Sequence, residues 1–238
     1  MNRTQFRRLF SASLITLGVF AATSCASPYK NSTGLKQVDG LVSRVERVHV
    51  EGELAMTAVR DSVTSMLELV APKGQVSVLE AFETFEKSIA TSASREQSLK
   101  KSISDLQASG KPFFEGWNKS LDSFTSQNIR IQSRKRMEET RATYDRILVT
   151  SEIPLAQLNE FNTSLKDVAL FLSRDFNPTS VRMIEGELRH LIETAGELDQ
   201  EISKCLDECK GYTETSGLPA RVQVEVSNGS GKEETTKQ

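Results

Sequence analysis

The stretch VRMIEGELRHLIETAGELDQEISKCLDEC, residues 181–209, decides the fold. Its apolar residues recur at alternating spacings of three and four, which is the heptad pattern of a helix that buries one face against other helices. No core position of this heptad is polar, so the stretch predicts one long amphipathic helix. The a positions are Val181, Leu188, Ala195, Ile202 and Cys209, and the d positions are Ile184, Leu191, Leu198 and Cys205.

A second seam of this kind runs from Leu35 to Ala71, with Gly52 and Ser62 as its weak points. At about 1.5 Å per residue, such a helix is roughly 50 Å long. Shorter apolar stretches follow, and we predict breaks between segments at 72–74, 110–112, 150–154 and 177–179. We therefore predict an all-α fold with four or five segments. They form an elongated antiparallel helical bundle or coiled coil over residues 35–210, followed by a disordered tail at 211–238.

The composition agrees with helices that bury only a narrow seam. Hydrophobic residues make up 37% of the chain and aromatic residues 6%, which is low for a compact globule. The formal net charge of −2 becomes more negative when the basic N-terminal segment is removed. That balance gives no support for nucleic-acid binding, so we expect no nucleic-acid partner.

Residues 1–24 have the pattern of an export signal. A basic segment with three Arg and no acid precedes an apolar run, Leu9–Ala22, which is too short to span a membrane as a mature helix. Thr23 and Ser24 then lead into Cys25, and this ending resembles a bacterial lipobox, in which the cysteine is acylated and the chain is cut before it. We predict lipidation of Cys25. The alternative is an ordinary secretory signal with an incidental cysteine.

The expected location follows from the lipid anchor. Ala26 occupies the position at which Asp would resemble an inner-membrane retention signal, so we expect an outer-membrane anchor that faces the periplasm. Residues 25–34 are predicted to be a polar tether between the anchor and the helical bundle. The membrane is therefore the first expected partner, through the lipid.

The two histidines of the chain each follow a Glu by three residues, as Glu46 with His49 and Glu187 with His190. Paired Glu-x-x-His motifs on helices build the di-iron sites of ferritin-like bundles. In the heptad register, however, Glu46, Glu187 and His190 fall outside the core positions, which favours solvated surface residues. We predict no cofactor, and a ferritin-like metal site built from these four residues is the alternative.

Cys205 and Cys209 lie four residues apart in the last heptad seam. Export permits disulfides, but residues four apart in an intact helix place their sulfur atoms poorly for a bridge. Three interpretations stay open. The thiols pack as small buried groups, they form a bridge where the helix end frays, or they form bridges between two chains.

Basic residues accumulate in the third apolar segment, where the apolar residues become sparse. Such a run can contact anionic lipid headgroups, a cell-wall polymer or an acidic partner. Because Glu138, Glu139 and Asp145 lie among the basic residues, the simpler interpretation is a solvated helix with i,i+3 and i,i+4 ion pairs. The basic residues are Arg130, Arg134, Lys135, Arg136 and Arg141.

The sequence contains no Gly-rich phosphate loop, no metal-spaced Cys/His cluster and no nucleophile elbow. We therefore predict no catalytic activity. The pattern favours a structural or interaction role, as a lipid-anchored rod that offers helical surface to envelope proteins or to a second copy of itself. The core residues of the last helix would serve packing or association.

Three stretches of the chain resemble a family of bacterial lipoproteins known only as domain of unknown function twenty-nine fifty-nine. They are LVSRVE at 41–46, the region from Trp117 to Tyr144 with its RMEETR run at 136–141, and FLSRDFN at 171–177. The resemblance covers most of the chain after the leader and implies a helical lipoprotein rich in coiled coil. It implies no activity, because none is established for the family.

Overall fold

The computed structural model of the protein describes residues 32–72, 74 and 77–217. These ranges contain four long α-helices and one short one, a 3₁₀ turn at Leu121–Ser123 and no strand, so the predicted all-α fold is confirmed over them. The predicted signal peptide, Cys25 and residues 218–238 of the predicted tail lie outside the described residues. The helices are α1 (Ser32–Val70), α2 (Val78–Ser120), α3 (Gln127–Arg174), α4 (Pro178–Met183) and α5 (Glu185–Ser216).

The long helices form a ring in which each packs against two neighbours, in the order α1, α2, α3 and α5. Side-chain contacts give the direction of each pair, because residue numbers rise along one helix where they fall along the other. All four neighbouring pairs are antiparallel, so the chain runs up, down, up and down, as predicted. The contacts are Glu51 with Arg95 and Ser65 with Ser88 (α1–α2), Ser92 with Asn162 and Trp117 with Ser133 (α2–α3), Arg136 with Thr215 and Arg146 with Glu208 (α3–α5), and Met56 with Ser203 and Arg60 with Asp199 (α1–α5).

The helices are long because their apolar seams are long. α1, α2 and α3 have 39, 43 and 48 residues. At about 1.5 Å per residue, they span roughly 60–70 Å. Packing along this length buries one stripe of each helix and leaves the other faces to solvent, which explains the low aromatic and hydrophobic content.

The predicted heptad seam of α5 lies in the core of the bundle. Leu198 and Cys209 are completely inaccessible to solvent, and Val181, Ile184 and Ala195 are half-buried against the same core. The seam residues therefore pack inside this chain. The buried a and d residues of α5 are Leu188, Leu191, Leu198, Ile202, Cys205 and Cys209.

The two weak points predicted in the seam of α1 both fit the packing. Leu206 of α5 lies over Gly52, where a Cβ atom would come within 2.6 Å of its methyl carbon. Ser62 is fully buried, and its hydroxyl lies within hydrogen-bonding distance of the carbonyl oxygens of Ala58 (2.8 Å) and Ser88 (3.2 Å). The small residue Gly52 and the hydrogen-bonded hydroxyl of Ser62 thus allow α1 to pack closely against its two neighbours, α5 and α2.

Two predicted breaks between segments are wrong, because α2 and α3 continue through their internal prolines. Pro112 lies on the exposed face of α2, where water can satisfy the backbone carbonyl that the proline leaves without a donor. Pro154 is buried, but Ile147 and Leu158 on either side of it are completely inaccessible. Burial of the flanking turns outweighs the local cost of the proline.

The start of the last helix also differs from the prediction. The heptad continues from Val181, but the backbone departs from helical geometry at Ile184 (φ −103°, ψ 11°) and separates α4 from α5. Asn177 caps α4, since its side-chain oxygen accepts hydrogen bonds from the backbone N–H groups of Thr179 and Ser180. At the other ends, α1 begins at Ser32 rather than at residue 35, and α5 continues to Ser216, beyond the expected boundary at residue 210.

Gly110 is the closest point between α2 and α3. The ring of Tyr144 lies against its Cα, and a Cβ atom there would be 2.1 Å from the phenol oxygen. This approach lets Tyr144 donate a hydrogen bond to the backbone carbonyl of Leu106 at 3.2 Å and pack edge-on against Phe114, with 5.4 Å between ring centres. Only glycine at this position admits the ring.

We expect Gly110→Ala to destabilise the protein by about 1–3 kcal/mol, because the added methyl group displaces a buried ring. The control is Gly40→Ala in α1, where a Cβ atom meets no neighbour within 4 Å. There, better helix propensity raises the free energy of unfolding by up to about 1 kcal/mol. Urea unfolding followed by circular dichroism measures both changes. Stabilisation by both substitutions would contradict the packing at Gly110.

Candidate functional site

The predicted Glu-x-x-His residues do not face the core. Glu46 on α1 is exposed, as are Glu187 and His190 on α5. His49 is half-buried, and its Nδ1 atom lies 3.9 Å from a carboxylate oxygen of Glu53 on the same helix. These positions agree with the register argument that placed the side chains on the surface.

The two Glu-x-x-His pairs are also far apart. Arg60 of α1 contacts Asp199 of α5, so in the antiparallel pair His190 is level with the C-terminal end of α1. That level is about 20 residues from His49, or roughly 30 Å along the helix. The two motifs therefore cannot share one metal site. Over residues 32–72, 74 and 77–217, no group of three or more His, Cys, Asp or Glu side chains is arranged to hold a metal ion.

Cys205 and Cys209 are free thiols, and both are buried in the bundle. The pKa of the Cys209 thiol is raised above its ordinary value, first by its hydrogen bond with Cys205 and then by burial. The same hydrogen bond lowers the pKa of the Cys205 thiol, and burial of that thiol opposes this effect. In the structure, both thiols pack as small core residues, and the two bridged arrangements stay predictions.

The predicted basic run lies on the N-terminal half of α3, and most of its members have a partner. Lys135 pairs with Glu139 at 3.9 Å and Arg141 with Asp145 at 3.8 Å, each in an i,i+4 pair. The ion pairs expected from the spacing are therefore present. Arg141 also lies over the ring of Phe114, 5.8 Å from its centre.

Two members of the run bind backbone carbonyl groups, and one of them, Arg136, also pairs with Glu139 at 3.7 Å. Arg130 donates to the carbonyl oxygen of Phe124 at 3.0 Å and so fixes the turn that precedes α3. Arg136 donates to the carbonyl oxygen of Thr215, in the last turn of α5, where helix carbonyls have no partner within the helix. Arg134 is exposed and makes no ion pair with the residues described.

The contact of Arg136 with Thr215 also shows where the four-helix arrangement ends. α5 stops at Ser216, so α3 residues before Arg136 extend past it, beside only α1 and α2. Gln37 of α1 lies against Gly116 of α2 at this level. We call this end, residues 32–39 and 114–136, the basic tip. It carries six basic and three acidic residues.

A buried carboxyl group that the heptad analysis missed lies between α2 and α3. Glu96 is only 5% exposed, and the amide of Asn162 donates to its Oε2 atom at 2.9 Å. Asn159 donates to Oε1 at 3.2 Å, and the Ser92 hydroxyl donates to the side-chain oxygen of Asn162 at 2.6 Å. We call Ser92, Glu96, Asn159 and Asn162 the Glu96 layer. Since both carboxyl oxygens already accept hydrogen bonds, we infer that the layer sets the register between α2 and α3.

A signal for this layer was present in the sequence. The seam of α2 keeps strict spacings of four and three through its centre, so Ser92 and Glu96 occupy core positions. A polar residue at such a position usually weakens a helix prediction, whereas here it predicts a polar contact across the core. The seam positions, all of them buried, are Phe85, Ile89, Ser92, Glu96, Leu99, Ile103, Leu106, Gly110 and Phe113.

The described residues define an up-and-down four-helix bundle with a polar layer in its core and one basic end. The sequence profile of a family described as protein of unknown function (DUF2959) matches residues 29–215. The chain therefore belongs to this family, as its resemblance had indicated. No curated protein matches the chain. None of the helices described is both long enough and apolar enough to cross a membrane.

We expect Asn162→Leu to lower the free energy of unfolding by roughly 2–4 kcal/mol, because it leaves the Ser92 hydroxyl and one oxygen of Glu96 buried without partners. Asn128→Leu makes the same change on the same helix at an exposed residue outside the layer, and its expected cost is below about 1 kcal/mol. Chemical denaturation of both variants is the measurement. Equal losses would show that the layer is not a buried hydrogen-bonded unit.

Proposed function

We propose that the protein is a lipid-anchored, non-catalytic protein of the cell envelope that presents the outer faces of a helical bundle to other envelope proteins. The observation that carries the proposal is the N-terminal pattern, in which a basic segment and a short apolar run end at Cys25. α1 begins at Ser32, so six residues join the acylated cysteine to a folded unit. An outer-membrane location with the bundle in the periplasm follows from Ala26.

The closed core supports an interaction role for the outer faces of the bundle. The long helices satisfy their seams on one another, so partners would contact residues outside those seams. Exposed apolar side chains are available there at helical spacing. Val50 and Leu54 form such a pair on α1, and Val149 and Ile153 form a more exposed pair on α3. Apolar side chains at i and i+4 on a helix suit a groove or a second helix.

The chemistry of the core supports a role without catalysis. Glu96 is the acidic side chain buried in the described part of the chain, and amide groups occupy both of its oxygens. Cys205 and Cys209 are buried in the core, Cys205 beside the backbone of Ile147, and both are closed to a substrate. Neither group is paired with a base or acid that could activate it.

The anchor is tested by replacing the acylated residue. We expect the mature wild-type protein to start at Cys25, to gain a diacylglyceryl mass and to sediment with membranes, because the acyl chains partition into lipid. Cys25→Ala removes the acylation site, so the protein should keep its leader or appear in the soluble fraction. Intact-mass spectrometry and membrane fractionation measure both properties. Cys205→Ala with Cys209→Ala is the control and should stay on the membrane.

Recovery of unacylated wild-type protein from the soluble periplasm would contradict the anchor. A second substitution tests which membrane carries it. Ala26→Asp introduces the residue that resembles an inner-membrane retention signal, so we expect the acylated variant to move from outer-membrane to inner-membrane fractions in a density gradient. An unchanged distribution would contradict the outer-membrane assignment and leave the anchor itself intact.

A further inference from the structure

We propose that the basic tip is a membrane-docking surface that binds anionic phospholipid headgroups in the leaflet that holds the Cys25 anchor. The inference rests on the proposed function for that anchor. The docking surface adds a second contact with the membrane and an orientation of the bundle in which the basic tip faces the headgroups. The tip consists of the first turns of α1, the end of α2, the turn at Leu121–Ser123 and the beginning of α3.

The charge of the two ends of the bundle differs in sign. The basic tip has twice as many basic as acidic residues, six against three. The opposite end, residues 60–72, 74, 77–90 and 164–199, carries six basic and twelve acidic residues. Glu138 and Glu139 lie just beyond the tip, and Glu139 pairs with Lys135 and Arg136, so the net positive charge of this end is small. It is still opposite in sign to the charge of the acidic end, so an anionic surface favours one orientation.

Exposed apolar side chains accompany the charges of the basic tip. Leu35 at the start of α1 is 60% exposed, and Ile129 and Ile131 at the start of α3 are 53% and 55% exposed. Lys36 and Arg130 directly adjoin them in the chain. Basic residues beside exposed Leu and Ile are the combination that interfacial membrane-binding surfaces use, with the cations on headgroups and the apolar groups at the acyl boundary.

The length of the tether also places the membrane at this end. Six residues lie between Cys25 and Ser32, and the seven fully extended steps from one to the other span at most about 25 Å. Ser32 begins α1 within the basic tip, whereas the acidic end lies a helix length away, roughly 60 Å. An anchored chain therefore keeps the basic tip within reach of the headgroups.

The docking surface can be tested without the lipid. Residues 32–217 belong to one compact unit, so the leaderless chain, residues 26–238, is a suitable sample. We expect it to co-sediment with vesicles of phosphatidylcholine and phosphatidylglycerol but not with phosphatidylcholine alone. Raising the salt from about 50 to 500 mM should release it, because salt screens headgroup charge.

A triple substitution separates the basic tip from general charge effects. Lys119→Gln, Arg134→Gln and Lys135→Gln change exposed residues, and we expect roughly 100-fold weaker partitioning to anionic vesicles, at about fivefold for each charge. The matched control, Lys87→Gln, Lys166→Gln and Arg189→Gln, removes three exposed charges elsewhere and should bind like wild type. Circular dichroism confirms that both variants remain folded.

The apolar contribution is measured with Ile129→Ser and Ile131→Ser together. We expect several-fold weaker binding at low salt, with the salt dependence unchanged, because these side chains carry no charge. Leu79→Ser, at an exposed position near the opposite end, is the control and should leave binding unaffected.

Equal binding to neutral and anionic vesicles, or equal loss in both triple variants, would overturn the proposal. Binding to isolated cell-wall polymer in place of vesicles would assign the basic tip to that polymer and overturn the lipid assignment. Failure of vesicle binding leaves the anchor untouched, since the sample has no acyl chain. A failed Cys25→Ala experiment, conversely, leaves vesicle binding by the basic tip as an independent result.

Discussion

The structure depends on the mutual burial of four heptad seams in one antiparallel ring. Each seam is too narrow to form a core alone, and a fully buried Leu or Ile contributes only about 2 kcal/mol. The seams therefore stabilise the fold only when all four pack together. Leu198 of α5 and Val45 of α1, for example, are completely inaccessible to solvent. Short connections between α1, α2 and α3 then place the start of α1, the end of α2 and the start of α3 at the same end of the bundle.

Periodicity predicted the helices better than residue type did. The seams of α1 and α5 were predicted in the correct register, since nearly every core position is apolar. Pro112 and Pro154 suggested breaks that do not exist, because one faces solvent and the other lies between fully buried turns. Ser92 and Glu96 are polar at core positions, and their partner Asn162 lies 66 residues beyond Glu96, so only the folded α2–α3 pair reveals the layer.

The candidate sites divide in the same way, into features that the sequence shows and features that only the folded bundle shows. The export pattern before Cys25 and the basic run on α3 are both visible in the sequence. That the basic run lies at the same end of the bundle as the start of α1 is not, because it follows from the antiparallel packing of α1, α2 and α3. The two Glu-x-x-His motifs are the opposite case, because the fold separates residues that the sequence pattern groups together. They match a metal-binding pattern in sequence, yet the antiparallel packing of α1 and α5 separates them by roughly 30 Å.

The central claim is that one chain closes all four seams by itself, and the dependence of stability on concentration tests it most directly. Unfolding of a self-contained bundle is unimolecular, so dilution does not shift its midpoint, whereas an associated fold loses stability on dilution. We expect the leaderless chain to sediment as a monomer, with the same Tm over a 100-fold range of concentration, roughly 1–100 μM. A dimer whose Tm falls with dilution would show that the seams need a second chain.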